Sequence, residues 1–148
     1  MSVRTVTLYS ALLVLLMVFC ISDVAKAVDP AGWTSNPITS NSYGDGRPRI
    51  SDQHIVWYGL PGGVETLFLY DMATTTTTDI FDTANQTSLP EISSPDVVWA
   101  ADDGSDWEIY CYDADTDTTA QLTNNSQQDM YEAISGPRIV WMQFSNLI

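Results

Sequence analysis

Three aspartates alternate with other residues in the segment Asp113-Ala114-Asp115-Thr116-Asp117. Carboxylate oxygens at this spacing can wrap around a calcium ion, which prefers hard oxygen ligands. The segment lacks the next glycine of an EF-hand loop, because position 118 is a threonine. A hairpin turn is the competing interpretation, since aspartate and threonine are common in turns. The turn is favoured, and Asp113, Asp115 and Asp117 remain the candidate calcium ligands.

A second acidic turn surrounds Gly104 and contains Asp102, Asp103 and Asp106. Two carboxylates in such a turn could act as the acid and the base of glycoside hydrolysis. A solvated Asp-Gly hairpin is the favoured interpretation, because nothing else in the sequence supplies a matching site.

The sequence contains one histidine, His54, and one cysteine beyond residue 20, Cys111. We expect His54 in a turn between two strands, so a Ser-His-Asp triad is not supported. Cys111 lies in an alternating segment and is predicted to be a small buried core residue. The sequence therefore predicts no catalytic residue, and no cofactor apart from the calcium ion considered above.

The first 27 residues are predicted to be a secretory signal peptide. Arg4 precedes an apolar run of eleven residues, Ala11 to Ile21, and a small-x-small cleavage motif follows at residues 25–27. The run has about half the length that a membrane-spanning helix needs. Cleavage after residue 27 is favoured over retention as an anchor, so we expect a secreted or cell-surface protein without membrane insertion.

The chain is strongly acidic, with 19 acidic and 5 basic residues and a formal charge of −14. A nucleic-acid-binding surface needs a stripe of cations, which this composition cannot supply. Lys26 is the only lysine and lies within the predicted signal, so lysine-dependent catalysis is also excluded.

A repeat of 42 residues organises the chain after the signal. Three tryptophans at this spacing each end an apolar triplet, and we expect them to pack between repeat units: Trp57, Trp99 and Trp141. Without gaps, segments 47–88 and 89–130 are identical at twelve positions. A fixed period of this length is the sequence signature of a repeat architecture.

Each unit is predicted to contain four short strands separated by turns. In the second unit, β-branched and aromatic runs cover residues 96–100, 107–112 and 118–123, and nothing predicts an amphipathic helix. Four strands in about 40–45 residues is the size of one propeller blade. The predicted fold is all-β, an incomplete β-propeller with four-stranded blades. A β-sandwich is less favoured because its strands do not repeat at a fixed period.

The repeat resembles that of TolB-type propellers, most closely the form in large cell-surface and S-layer-associated proteins of methanogenic archaea. The residues that carry the resemblance are Ile92-Ser93, Val97-Val98-Trp99, Glu108-Ile109-Tyr110, Tyr112-Asp113 and Gln121-Leu122-Thr123-Asn124-Asn125. The resemblance covers residues 33–148 and implies the propeller fold. The first unit departs from the pattern at Leu60 to Gly63 and in the threonine run 74–78.

The repeat divides the chain into a signal peptide and four further segments. These are residues 28–46 with a piece at 37–41 that matches a last strand, the blade repeats 47–88 and 89–130, and a partial repeat 131–148. Propellers usually have about four to eight blades. We therefore expect the amino-terminal piece of a longer propeller, with the missing blades supplied in cis or by another chain.

The predicted function is that of a non-enzymatic module that binds other surface proteins or polysaccharide. Two alternatives remain, a fragment of an extracellular enzyme that acts on polysaccharide, and a TolB-like periplasmic translocation component. Asn85 and Asn124 begin Asn-x-Ser/Thr sequons, and glycosylation at these positions is left open.

Overall fold

The computed structural model describes residues 34–83 and 86–145, which fold mainly into antiparallel β-strands. The chain divides into two compact units, residues 1–41 and 42–148. In the first unit, the described residues 34–41 contain neither helix nor strand. The segment 37–41, predicted to match the last strand of a repeat unit, is therefore not a strand.

The described residues of the second unit form three sheets, and in each sheet strands that are consecutive in the chain pair with each other. The first sheet has β1 (Asp45–Ser51), β2 (His54–Gly59), β3 (Glu65–Asp71) and β4 (Thr76–Thr83), with a short 3-10 turn at Pro61–Gly63. The second has β5 (Glu91–Ser93), β6 (Asp96–Asp102), β7 (Trp107–Asp113) and β8 (Thr118–Gln121). The third pairs β9 (Gln128–Ser135) with β10 (Arg138–Phe144).

The backbone repeats with the period of the sequence. The pairs Arg47 and Tyr131, and Thr75 and Asp117, occupy matching repeat positions and have positive φ angles between 52° and 60°. Positive φ is uncommon for residues other than glycine, so its recurrence reflects a shared backbone path. A β-bulge interrupts β1 between Gly46 and Arg49, and the pairing of β9 with β10 shifts at the matching place.

The main core lies between the first and the second sheet. Strand alternation directs one apolar face of each sheet into it, and its buried side chains are Val56, Leu67, Leu69, Ile80, Val97, Trp99, Ala101 and Tyr112. The other face of the second sheet contributes Val98, Ala100 and Ile109 to a smaller cluster with Ile134 and Ile139 of the third sheet. The second sheet is thus covered on both faces. This explains why the sequence of β6 contains a continuous apolar run where a half-exposed strand would alternate.

The structure corrects three expectations about single residues. His54 is the first residue of β2, not a turn residue, and only 5% of it is exposed. Cys111 is partly exposed, although the matching Leu69 is buried. Trp99 packs between two sheets as predicted, whereas 41% of Trp141 is exposed.

The predicted signal peptide and Asn85 lie outside the described residues. Within residues 34–83 and 86–145, the structure has no helix with the length and apolar character of a membrane span.

Candidate functional site

The first strands of the three sheets lie side by side, with β5 between β1 and β9, and clefts open along the surface that they form. A cleft of about 340 Å³ on this surface is lined by Arg47, Glu91, Tyr131, Glu132 and neighbouring residues. An adjoining cleft of about 380 Å³ shares Arg47 and residues 87–89 and is also lined by Tyr58 and Glu65. We refer to these two adjoining spaces as the inner-strand cleft.

The β-bulge positions two of the side chains in this cleft. Arg47 and Tyr131 occupy the matching bulge positions of β1 and β9, and both are exposed. A bulge redirects a side chain away from the regular alternation of a strand. Arg49 and Glu91, also at matching positions, form an ion pair of 3.3 Å between β1 and β5. Because each partner is about 40% exposed, this pair contributes little stability.

A buried carboxylate lies beside the cleft. Glu132 is 8% exposed and accepts a short hydrogen bond from the Ser88 hydroxyl. Ser88 Oγ in turn accepts a bond from the backbone N–H of Ala100 at 2.8 Å. Burial raises the pKa of Glu132 because the charged form loses water. The chain of contacts ties β9 to β6 beneath the cleft.

The candidate calcium ligands of the sequence analysis lie in the turn between β7 and β8. Asp113 accepts hydrogen bonds from the Asp115 backbone N–H at 2.8 Å and the Thr116 hydroxyl at 2.9 Å, which lower its pKa. Asp117 accepts the hydroxyl of Tyr112 at 2.8 Å. Asp71 makes the same kind of turn contacts in the first unit, with Ala73 and Thr74 at matching repeat positions. This geometry matches the hairpin-turn interpretation, and calcium binding by Asp113, Asp115 and Asp117 stays a prediction.

Among the described residues, the acidic side chains that converge are Asp103, Asp106 and Glu108, which we call the acidic cluster. One oxygen from each lies within 4.8 Å of the others. Glu108 is fully buried, Asp106 is 5% exposed, and Asp103 is exposed. Burial, followed by the charges of Glu108 and Asp103, raises the pKa of Asp106. The sequence predicts a solvated turn for Asp103 and Asp106, whereas Asp106 is buried here, and no pattern in the sequence pointed to Glu108.

The surroundings of His54 and Cys111 indicate structural roles and not catalytic ones. The Nδ1 atom of His54 lies 2.8 Å from Ser94 Oγ and joins β2 to the turn before β6. Burial, followed by the charges of Asp96 and Asp113, raises the pKa of the Cys111 thiol to about 11. A thiol with such a pKa forms little thiolate at neutral pH and is a poor nucleophile.

No family model and no curated protein matches this chain. Among solved structures it is similar to a protein described as TolB from Agrobacterium tumefaciens, with a TM-score of 0.52 and 13% identity over 65% of this chain and 36% of that chain. It is also similar to TolB from Acinetobacter baumannii, with a TM-score of 0.50 and 19% identity over 74% of this chain and 32% of that chain. The β-propeller domain of the trilobed protease from Pyrococcus furiosus gives a TM-score of 0.49 and 11% identity, over 62% of this chain and 30% of that chain.

The chain spans about a third of the length of the solved structures it matches. The two TolB similarities and the packed four-stranded sheets together show the fold class, an all-β, incomplete β-propeller like that of the TolB proteins. The fold predicted from the repeat is therefore confirmed.

Proposed function

We propose that this chain is part of an exported or cell-surface propeller protein that binds polysaccharide or other surface proteins and catalyses no reaction. The observation that carries the proposal is the inner-strand cleft with its exposed Arg47 and Tyr131. Ligand sites in proteins are concave, with few polar groups that fix the orientation of the ligand. The cleft offers such a surface on the first strands of three successive sheets.

The side chains of the cleft suit a polar, extended ligand. The Arg47 guanidinium can donate two parallel hydrogen bonds to a carboxylate of an acidic sugar or of a peptide. The Tyr131 ring, 68% exposed, offers a flat apolar face with a polar tip. Glu91 and Tyr58 add an acceptor and a hydroxyl along the same surface.

The sequence supports the surface location. The apolar run 11–21 and the motif at 25–27 have the pattern of an export signal. The repeat also resembles that of S-layer-associated archaeal proteins, which supports a place in a cell envelope.

The third sheet supports association with further blades, in cis or from another chain. Its exposed apolar side chains include Val140 at 63%, Met142 at 53% and Trp141 at 41%. Val140 and Met142 lie on one face of β10 and Trp141 on the other, so both faces of this strand expose apolar side chains of the kind that mark contact regions. We propose that an additional strand pairs with β10, as β3 pairs with β2 and β7 with β6, and that further blades cover these side chains.

Binding of the full-length chain to isolated envelope polysaccharide and to isolated surface-layer protein tests the function. We expect binding to one of them, weakened at least about tenfold by Arg47→Ala or Tyr131→Ala, which corresponds to the loss of one good contact. Arg138→Ala is the matched control, because Arg138 is an exposed arginine of β10 that does not line the cleft.

Three results would contradict the proposal. The first is equal binding by the Arg47→Ala and Arg138→Ala variants, which would remove the cleft from recognition. The second is release of reducing sugar ends by the purified chain, which would favour the alternative of an enzyme that acts on polysaccharide. Binding to neither preparation would also reject it.

A further inference from the structure

Three carboxylates near the turn between β6 and β7 are buried and incompletely paired. Glu108 and Asp129 are fully buried, and Asp106 is 5% exposed. One oxygen of each has no hydrogen-bond partner: Glu108 Oε2, Asp129 Oδ1 and Asp106 Oδ1. A buried carboxylate without a partner is strongly unfavourable, and neighbouring like charges add repulsion. Such oxygens are stabilised by a proton or a cation that they share.

The paired oxygens are held by one residue in the connection before β9. The backbone N–H of Asn125 donates to Glu108 Oε1 at 2.6 Å, and its side-chain amide donates to Asp129 Oδ2 at 2.6 Å. Asn125 thereby fixes two carboxylates and leaves the second oxygen of each free. Asp103 is oriented in the same way, because its Oδ1 accepts the Ser105 backbone N–H at 2.9 Å.

The spacing of the acidic cluster suits a single calcium ion. Calcium binds oxygen at about 2.3–2.6 Å, so two ligands on opposite sides of the ion lie up to about 5 Å apart. The oxygens of Asp103, Asp106 and Glu108 lie within 4.8 Å of one another and meet this limit. Asp129 is a fourth carboxylate nearby, since Asn125 donates hydrogen bonds both to it and to Glu108.

Positive side chains are scarce around these acids. The chain has no lysine after Lys26, and Arg49 forms its ion pair with Glu91, not with the cluster. The donor set contains oxygen alone, which selects a hard cation over zinc or copper. Ligands on a turn and two strands adapt to the irregular shell of calcium more readily than to the strict octahedron of magnesium.

The first unit, which departs from the repeat pattern in this region, lacks the acidic cluster. The matching residues of the first unit are Pro61, Val64 and Thr66, none of which is acidic. In the first unit, Glu65 binds the connection to the next sheet, because its Oε2 atom accepts the backbone N–H of Thr87 at 2.7 Å. The acidic cluster therefore belongs to the junction that follows the second unit.

We propose that Asp103, Asp106 and Glu108, with Asp129 beside them, bind a calcium ion at the junction of the second and third sheets. The ion joins the turn after β6 and the start of β7 to the first residues of β9. This site is separate from the turn at Asp113, Asp115 and Asp117, and it does not depend on the function proposed for the inner-strand cleft.

Thermal unfolding and calorimetric titration of the full-length chain, freed of metal with a chelator, test the proposal. With calcium alone as the probe, we expect a dissociation constant of about 10⁻⁴–10⁻³ M, as in extracellular calcium modules. At about 10 mM calcium the melting temperature should rise by about 5 °C or more, because an ion bound to the folded state alone stabilises it. Magnesium at the same concentration should give a clearly smaller rise.

The Glu108→Gln and Asp106→Asn variants keep the side-chain shape and should lose the calcium-dependent rise. In chelator they should melt no lower than the unsubstituted chain, since each removes a buried like charge, and this measurement shows that they fold. The Asp79→Asn/Asp82→Asn double variant, which changes two exposed aspartates of β4 outside both acidic groups, is the control and should keep the full rise.

Three outcomes overturn the assignment. They are the absence of a calcium-dependent rise in the unsubstituted chain, an unchanged rise in Glu108→Gln, and loss of the rise in the control double variant. An equal response to magnesium would reject calcium as the ion of the site.

Discussion

Trp99 and Trp141 occupy the same position in successive repeats but differ in burial, which makes them a matched pair for testing the sheet packing. Trp99 is fully buried, and its ring stacks on Tyr110 at 6.0 Å and meets Phe81 of the first sheet at 5.1 Å. Replacement by alanine removes these contacts and leaves an enclosed cavity. Core substitutions of this kind cost about 3–5 kcal/mol.

The Trp141→Ala control should cost less, about 1–2 kcal/mol, because 41% of this side chain is exposed and no enclosed cavity results. Trp99→Phe separates ring packing from the indole N–H. Its cost should stay within about 1.5 kcal/mol, since the Trp99 N–H has no hydrogen-bond partner to lose.

Equilibrium unfolding in urea measures the free energy of unfolding of the three variants. The urea midpoints are compared with one common slope of free energy against urea concentration. A domain of this size has a total stability of about 5–15 kcal/mol, so the Trp99→Ala midpoint should fall by a large fraction. Equal losses for Trp99→Ala and Trp141→Ala would refute the reasoning, because they would mean that the first and second sheets do not enclose Trp99.

Three further predictions concern titratable groups. In the folded chain Cys111 should be alkylated slowly at pH 8 and quickly in denaturant, followed by peptide mass spectrometry, because its pKa is raised to about 11. Burial raises the pKa of Glu132 above its ordinary value of 4.5. The protonated side chain therefore stabilises the fold fully below pH 4.5, and this stabilisation is lost as the pH rises through the raised pKa. Glu132→Gln should therefore gain stability over the unsubstituted chain between mildly acidic and neutral pH; a pH-independent difference in melting temperature would contradict this. The pKa of Asp113 is lowered by its turn hydrogen bonds, so its contribution is present above 3.8 and lost as pH falls through the lowered value. In the Asp113→Asn variant, the melting temperature should therefore fall less steeply as the pH is lowered into the acidic range. An unchanged dependence of the melting temperature on pH would count against the turn contacts.

The periodicity of the sequence was sufficient to predict the fold, because strands and turns repeat every 42 residues and one rule describes all units. The turn at Asp113 was also interpretable locally, since the side chain bonds to residues two and three positions later. Such contacts depend on neighbours in sequence, which a pattern can show.

Contacts between sheets could not be predicted in the same way. His54 is buried because Ser94, 40 residues later, lies against it. Glu108 and Asp129 are buried through Asn125, in the connection that precedes the third sheet. Glutamate and aspartate are rarely buried, so their residue types indicate exposure, and only the packing of one sheet on the next reverses this.

The Arg49–Glu91 ion pair favours the correct order of the repeat units during assembly. Both residues stand at the same place in their repeats, so two identical copies would bring like charges together there and repel. Because the two units carry opposite charges at this position, a unit pairs better with its correct neighbour than with a second copy of itself. The ion pair adds almost nothing to the overall stability. Repeat proteins are prone to misassembly between similar units, and a complementary charge at an otherwise equivalent position opposes exchange of one unit for another.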